Sequence, residues 1–289
     1  MKYDKKDLAR LHGELLDIMA EIIRVCEVCG IPYFIQGGTA IGALFNKGIV
    51  PWDDDIDIGM TRADYERFLQ LAPQHLRPQY FLEWFGTERN TPFYFAKVKK
   101  NGTLFVEEMF RNMDIHHGIF VDIFPYDRIP DNKWLERLHR FRSRFWINCF
   151  IGKQIWLWRW CGRCEIDAPL PKSFVGCLAV RAVCSLLSRE RIYAKMCRVL
   201  GTYNGRDCKR VNIVRMPKDQ IPRADIENPV MMPFGGMTVR APRNIESYLR
   251  HHYPNLRPEL PEEEQINHAP YRLSFGDEDM NRNCFANSD

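Results

Sequence analysis

Apolar side chains at Leu8, Leu11, Leu15, Ile18, Ile22, Val25 and Cys29 recur at intervals of three and four, which places them on one face of a helix. An amphipathic scaffold helix over 4–29 is therefore expected, stopped by Gly30-Ile31-Pro32. Tyr33-Phe34-Ile35-Gln36 then reads as a strand that breaks at Gly37-Gly38, and 39–45 as a short helix beginning at the glycines. In Asp53-Asp54-Asp55-Ile56-Asp57-Ile58-Gly59 the alternation predicts a second strand. Ile56 and Ile58 would face a core, and Asp55 and Asp57 would share the other face. Thr61 is placed to cap a helix over 62–72, with Tyr65, Phe68, Leu69 and Leu71 inward and Pro73 and Pro78 breaking the chain. Further strands are expected over 80–84, 93–99 and 119–125. Residues 229–239 read as strand, glycine turn, strand, and Pro242 opens a helix through Ile245, Tyr248 and Leu249.

Between these segments the pattern changes. Residues 133–164 are rich in Trp, Phe and Leu and carry Lys133, Arg137, Arg140, Arg142, Arg144, Lys153, Arg159 and Arg163 against little acid. One reading is an interfacial segment on an anionic leaflet, in peripheral contact with the membrane. The favoured one is a helical subdomain with aromatic residues in its core and arginines towards a cleft. The apolar stretch 173–187, interrupted by Arg181, reads as a buried helix too short to span a bilayer. Three parts are thus expected: 1–130, a helical insertion over 131–205, and 206–289. The end, from about Asp277, is polar and expected to fray.

At 289 residues the chain can bury a full core. Charged residues are 27%, with a formal net charge of +4, too mild an excess to indicate nucleic acid as a partner yet compatible with anionic substrates. No apolar run reaches the ~20 residues of a membrane span, and Met1-Lys2-Tyr3-Asp4-Lys5-Lys6-Asp7 lacks the character of a signal peptide. The expected location is cytoplasmic, with the inner face of the membrane as an alternative. The pairs Cys26/Cys29 and Cys161/Cys164 have the spacing of zinc ligands. Cys26 and Cys29, however, end an apolar helical stripe, where thiols act as small hydrophobes. Reduced structural cysteines are the preferred reading.

The candidate chemistry lies in the acids. A run such as Asp53–Asp57 also occurs as a solvated turn or a calcium loop, but the central Gly and distal Glu of an EF-hand are missing. Carboxylates crowded on one face repel each other unless a cation neutralises them, and hard oxygens suit Mg²⁺ or Mn²⁺. Asp122, set among large apolar residues in 119–125, must be paired or metal-bound. It is either a third metal ligand beside Asp55 and Asp57 or a buried acid held by a lysine or arginine. Gly37, Gly38 and Thr39 begin a helix whose first amides suit an anion. Lys47 is near it in sequence, as a ligand or as a surface charge. Lys97 meets a substrate phosphate if its face looks into the cleft, and solvent if not. His116-His117 reads as an ordinary loop pair.

The stretch from Gly37 to Met60, GGTAIGALFNKGIVPWDDDIDIGM, resembles the signature of the LicD family of phosphocholine transferases. Gly118-Ile119-Phe120-Val121-Asp122-Ile123-Phe124-Pro125 extends the likeness, as do the glycine turn after Phe234 and the helix ending Tyr248-Leu249 before Tyr253-Pro254. The resemblance implies an α+β fold with a nucleotidyltransferase-type mixed β-sheet, flanking helices and the helical insertion. It implies transfer of phosphocholine from CDP-choline to a hydroxyl of a glycan or lipid-linked sugar. Asp55, Asp57 and Asp122 would act as metal-binding catalytic residues, and Gly37, Gly38, Thr39, Lys47 and Lys97 would line the donor phosphates. An aromatic cage for the quaternary ammonium could draw on Trp52 and Trp84. A nucleotidyltransferase releasing pyrophosphate from an NTP, or transfer of phosphoethanolamine, ribitol phosphate or glycerol phosphate, would use the same motifs. A degenerate site in a binding module is disfavoured by retention of both glycines and all three acids.

Overall fold

The computed structural model describes residues 3–160, 174–213, 220–261, 264–265 and 267–276, the side chains of 156–160 and 174 excepted. Cys161, Cys164 and the polar end from Asp277 lie outside the described residues. In chain order the elements are α1 (Lys5–Cys29), β1 (Phe34–Ile35), α2 (Gly37–Phe45), β2 (Asp57–Thr61), α3 (Arg62–His75), β3 (Tyr80–Glu83), β4 (Ala96–Lys100), β5 (Leu104–Val106) and β6 (Phe120–Ile129). They continue with α4 (Lys133–Trp160), α5 (Phe174–Leu186), α6 (Arg189–Leu200), β7 (Arg210–Asn212), β8 (Gln220–Pro222), α7 (Arg223–Glu227), β9 (Val230–Phe234), β10 (Met237–Ala241), α8 (Ile245–His252) and β11 (Arg272–Ser274).

A seven-stranded mixed sheet organises this α+β fold, in the order β1-β2-β6-β4-β3, with β7 on the far end of β6 and β8 beyond it. Only the β2–β6 pair in this sheet is parallel. Alternation along the strands separates two faces. Ile58, Val121, Ile123, Ala96, Val98 and Leu82 are buried on one, with α1 and α3 against these strands. Burying side chains of this size stabilises the fold by about 1.5–3 kcal/mol each. The opposite face carries Asp57, Asp122, Lys97 and Lys99, and it is where the chemistry collects.

Several boundaries differ from expectation for identifiable reasons. The helix α3 runs on to His75 with Pro73 inside it, because a proline in the last turn removes one backbone bond without stopping the preceding turns. The strand expected over 93–99 starts at Ala96, while the rings before it pack in pairs, Phe93 against Phe110, Tyr94 against Phe95 and Phe95 against Phe124. The acidic run is not itself a strand: β2 begins at Asp57, and Asp53 to Ile56 form a loop. The segment expected as a buried helix, α5, presents Val180 and Cys184 to the core but leaves Val175, Leu178 and Leu186 exposed. A short helix that is apolar all round can turn only one stripe inward, here towards α4. The glycine turn Gly235-Gly236, with both φ angles positive, joins β9 to β10 as the pattern predicts.

Candidate active site

Four charged residues form one row across the sheet. Asp57 on β2 is in register with Asp122 on β6, Asp122 with Lys97 on β4, and Lys97 with Glu83 on β3. Opposed residues on neighbouring strands share a face and lie within reach of each other. The two aspartates thus come together although 65 residues of chain separate them. Lys97 Nζ lies 3.0 Å from the Asp122 carboxylate and 3.6 Å from Glu107. It stands over the Phe120 ring at 3.3 Å and the Phe93 ring at 4.2 Å. Lys99, equally buried, pairs with Glu83 and donates to the His116 carbonyl. These lysines are buried cations compensated by acids, not solvated side chains.

The Gly37-Gly38 pair makes room for carboxylates. Gly37 has φ +55°, and a Cβ there would stand 3.2 Å from Asp57 Oδ2; at Gly38 a Cβ would stand 2.5 Å from Asp53 Oδ2. Only glycine lets the first turn of α2 come so close, and the positive end of that helix then faces the acids. Thr39 Oγ1 accepts from the Asp57 N–H at 2.8 Å, and the Gly37 N–H donates to Tyr248 Oη at 3.0 Å. Tyr126 Oη donates to Gln36 at 2.7 Å beneath this junction.

The loop of acids is held from both ends of the chain. Asp54 is buried; its Oδ2 accepts from Tyr3 Oη at 2.7 Å and from the His268 N–H at 2.9 Å. The His12 ring lies 2.7 Å from the Asp53 carbonyl. Asp54 is therefore an anchor, and it leaves Asp53 and Asp55 to present their charge.

That charge is concentrated. Burial, then the neighbouring Asp53 and Asp54, push the Asp55 carboxyl up to about 7. Burial with repulsion from Asp55 and Asp122 holds Asp57 well above the usual carboxylate range. Burial also raises Asp122 to about 7, opposed by Lys97 and reinforced by Glu107. Asp53 rises to about 6 through burial and Asp54. Carboxylate oxygens crowded in this way suit a hard divalent cation, which would relieve the repulsion. Asp54, Asp55 and His268 form a group with ligand atoms all within 4.8 Å of one another. A hydrogen bond to Asp54 raises His268 to about 9, so at neutral pH its ring is a cation itself.

The other sequence candidates fall elsewhere. Lys47 is an exposed turn residue with φ +54°, and its carbonyl accepts from the Gly235 N–H. His116 stacks on Phe81 and contacts Asn101, and His117 lies 3.0 Å from the Met113 carbonyl; both are structural. Trp84 follows β3, with its ring against Gly86, whereas Trp52 lines a cavity beside Asp53. Sequence reasoning did not find Asp54 as an anchor, Glu107, Tyr248 or His268, because each acts through a contact distant in the chain.

Comparison with known proteins agrees with this architecture. Residues 30–150 match the family model described as LicD/FKTN/FKRP, nucleotidyltransferase domain. The chain is 33% identical over 146 residues to the lipopolysaccharide cholinephosphotransferase LicD of Haemophilus influenzae, covering 49% of this chain and 53% of that protein. It is 36% identical over 50 residues to the human ribitol 5-phosphate transferase FKRP, covering 17% of this chain and 10% of that protein. The chain thus spans about half, or less, of the length of these relatives. The glycine pair, the loop of acids and the Asp57–Asp122 register all fall within residues 30–150, the segment that is similar to the LicD/FKTN/FKRP nucleotidyltransferase domain.

Proposed function

We propose that this protein transfers phosphocholine, or a related phospho-alcohol, from a CDP-activated donor to a hydroxyl of a cell-surface glycan precursor. The observation that carries this reading is the register of Asp57 with Asp122 on adjacent parallel strands, beside Asp55 and facing the first turn of α2. Asp55, Asp57 and Asp122 would hold Mg²⁺ or Mn²⁺. Bound there, the cation would supply charge stabilisation for the transferring and leaving phosphoryl oxygens.

The chain's own groups have complementary roles. The first turn of α2, from Gly37 to Thr39, would receive the donor diphosphate. Asp122, near 7 and within 3.0 Å of Lys97, is placed to take the proton of the acceptor hydroxyl. Lys97 would then act by keeping Asp122 charged rather than by touching phosphate. Among the described residues no helix is long and apolar enough to cross a membrane. Instead, Trp134, Leu138 and Phe141 stand exposed at helical spacing on α4, with the Arg137 guanidinium over Trp134 at 5.4 Å. That surface would rest on an anionic leaflet beside a lipid-linked acceptor.

Incubation with CDP-choline, Mg²⁺ and a glycan acceptor should release CMP in step with transfer. Release of pyrophosphate from CTP, with no CMP from CDP-choline, would instead establish a nucleotidyltransferase.

A further inference from the structure

Away from the acids, α5 is attached to α4 along a narrow line. Val180 and Cys184 are its buried side chains among the described residues, one helical turn apart, while Val175, Leu178 and Leu186 stand exposed. At the Cys184 end of that line the contact is polar as well. Cys184 Sγ donates to the Cys149 carbonyl of α4 at 3.3 Å, and Lys153 Nζ, one turn further along α4, donates to the Cys184 carbonyl. The two thiols are themselves in hydrogen-bond contact. Both are free cysteines, 35 residues apart in the chain.

A disulfide between two helices forms without moving the backbone only where the side chains already point at each other. A thiol that reaches the carbonyl of its partner residue, and the partner thiol as well, stands at that approach.

The pair is chemically unequal. The bond to Cys184, then burial, pushes the Cys149 thiol up. The bond to Cys149 holds Cys184 below the usual thiol range against its burial, and the Lys153 ammonium adds to the effect. Cys184 is therefore the sulfur that reacts first as a thiolate, and Cys149 the one that resolves it. Access favours the same order. Cys184 lies two residues from the end of α5, beside exposed Ser185. Helix ends fray there, and a peroxide is little larger than water.

We propose that Cys149 and Cys184 are a modification site, at which a peroxide closes a disulfide joining α4 to α5. The Cys184 thiolate attacks one peroxide oxygen and the O–O bond breaks. A sulfenic acid forms, and the hydroxide released takes up the proton that the thiol lost. The Cys149 thiol then attacks the sulfenic sulfur, the S–O bond breaks, and the hydroxyl leaves with the Cys149 proton as water. Two thiols are oxidised, and one peroxide is reduced to two waters. Neither cysteine belongs to the candidate active site, so this assignment is independent of the transferase reading.

The test is a non-reducing peptide map of the full chain before and after mild hydrogen peroxide, with circular dichroism confirming that the sample stays folded. A peptide pair linked through Cys149 and Cys184 should appear, and a dithiol reductant should remove it. Hydrogen exchange of the α5 amides should slow roughly tenfold or more on oxidation, because the helix can no longer leave α4. Cys149→Ala and Cys184→Ala should each abolish the link and the slowing, whereas Cys177→Ala, on the same helix, should leave both. Lys153→Met should slow the linking roughly tenfold at neutral pH without preventing it. The wild-type map decides the question even if an alanine variant fails to fold. Links that instead join either residue to Cys161, Cys164 or Cys177 would overturn the assignment. So would a link that forms only after denaturant has unfolded the chain, or a linked chain whose α5 exchange is unchanged.

Discussion

Lys97 Nζ lies 3.0 Å from the carboxylate of Asp122, and the two residues face each other in register across β4 and β6. The lysine that the motif suggested for a substrate phosphate is thus committed to an acid of the candidate centre. Glu107, 3.6 Å from the same ammonium, pulls the other way. Lys97→Met should move the acid limb of the pH–rate profile upward, and Glu107→Gln should move it downward. A merely structural role would shift neither limb, so rate profiles of both variants check the claim.

Asp57 is costly where it stands. Its charge is buried beside Asp55 and Asp122, so Asp57→Asn removes repulsion with little change of volume. The expected outcome is a loss of turnover on the order of 10²–10³ together with a higher melting temperature. Calorimetry and CMP release on the same sample test both halves.

The acid cluster also sets a pH dependence of stability. Asp53, Asp55 and Asp122 titrate higher in the folded chain than the usual carboxylate range. The folded state therefore holds more protons than the unfolded one, and stability falls as pH rises from about 4 to about 7. His268, raised to about 9, extends the fall with the same sign from about 6.5 upward. Added Mg²⁺ should raise the melting temperature clearly at pH 7.5 and little at pH 5, since protonated acids do not ligate. Equal shifts at both pH values would contradict a metal site built from these groups.

A second buried pair serves the fold alone. Arg62 grips Asp127 with two hydrogen bonds of 2.9 and 2.6 Å, and Asn204 donates to the same carboxylate at 2.8 Å. This joins α3, β6 and the segment after α6. Asp127→Ala strands a buried guanidinium and should cost about 3–5 kcal/mol, while Arg62→Met with Asp127→Leu should cost much less. Denaturant melts of the single and double variants measure the difference.

The exposed stripe Trp134, Leu138 and Phe141 predicts binding to vesicles with anionic lipid that weakens with salt. Trp134→Ser with Phe141→Ser should abolish sedimentation with those vesicles and leave the melting temperature almost unchanged, since both rings are largely solvent-exposed.

What the chain order alone determined was the local part of this protein. The three-and-four spacing before Cys29 dictated α1, Thr61 marked the start of α3, and the glycines after Phe234 marked a hairpin. These depend on neighbours a few residues apart, where sterics and periodicity act directly. The glycine pair and the acids were visible as chemistry for the same reason. Tertiary structure decided how they are used. It set Asp57 beside Asp122 by a parallel register and committed Lys97 to Asp122. It tied Asp54 to Tyr3 and His268, and it gave Gly37 and Gly38 carboxylates to accommodate. Each of those contacts spans tens to hundreds of residues, and a charge's partner is set by distance in space, which no local pattern encodes.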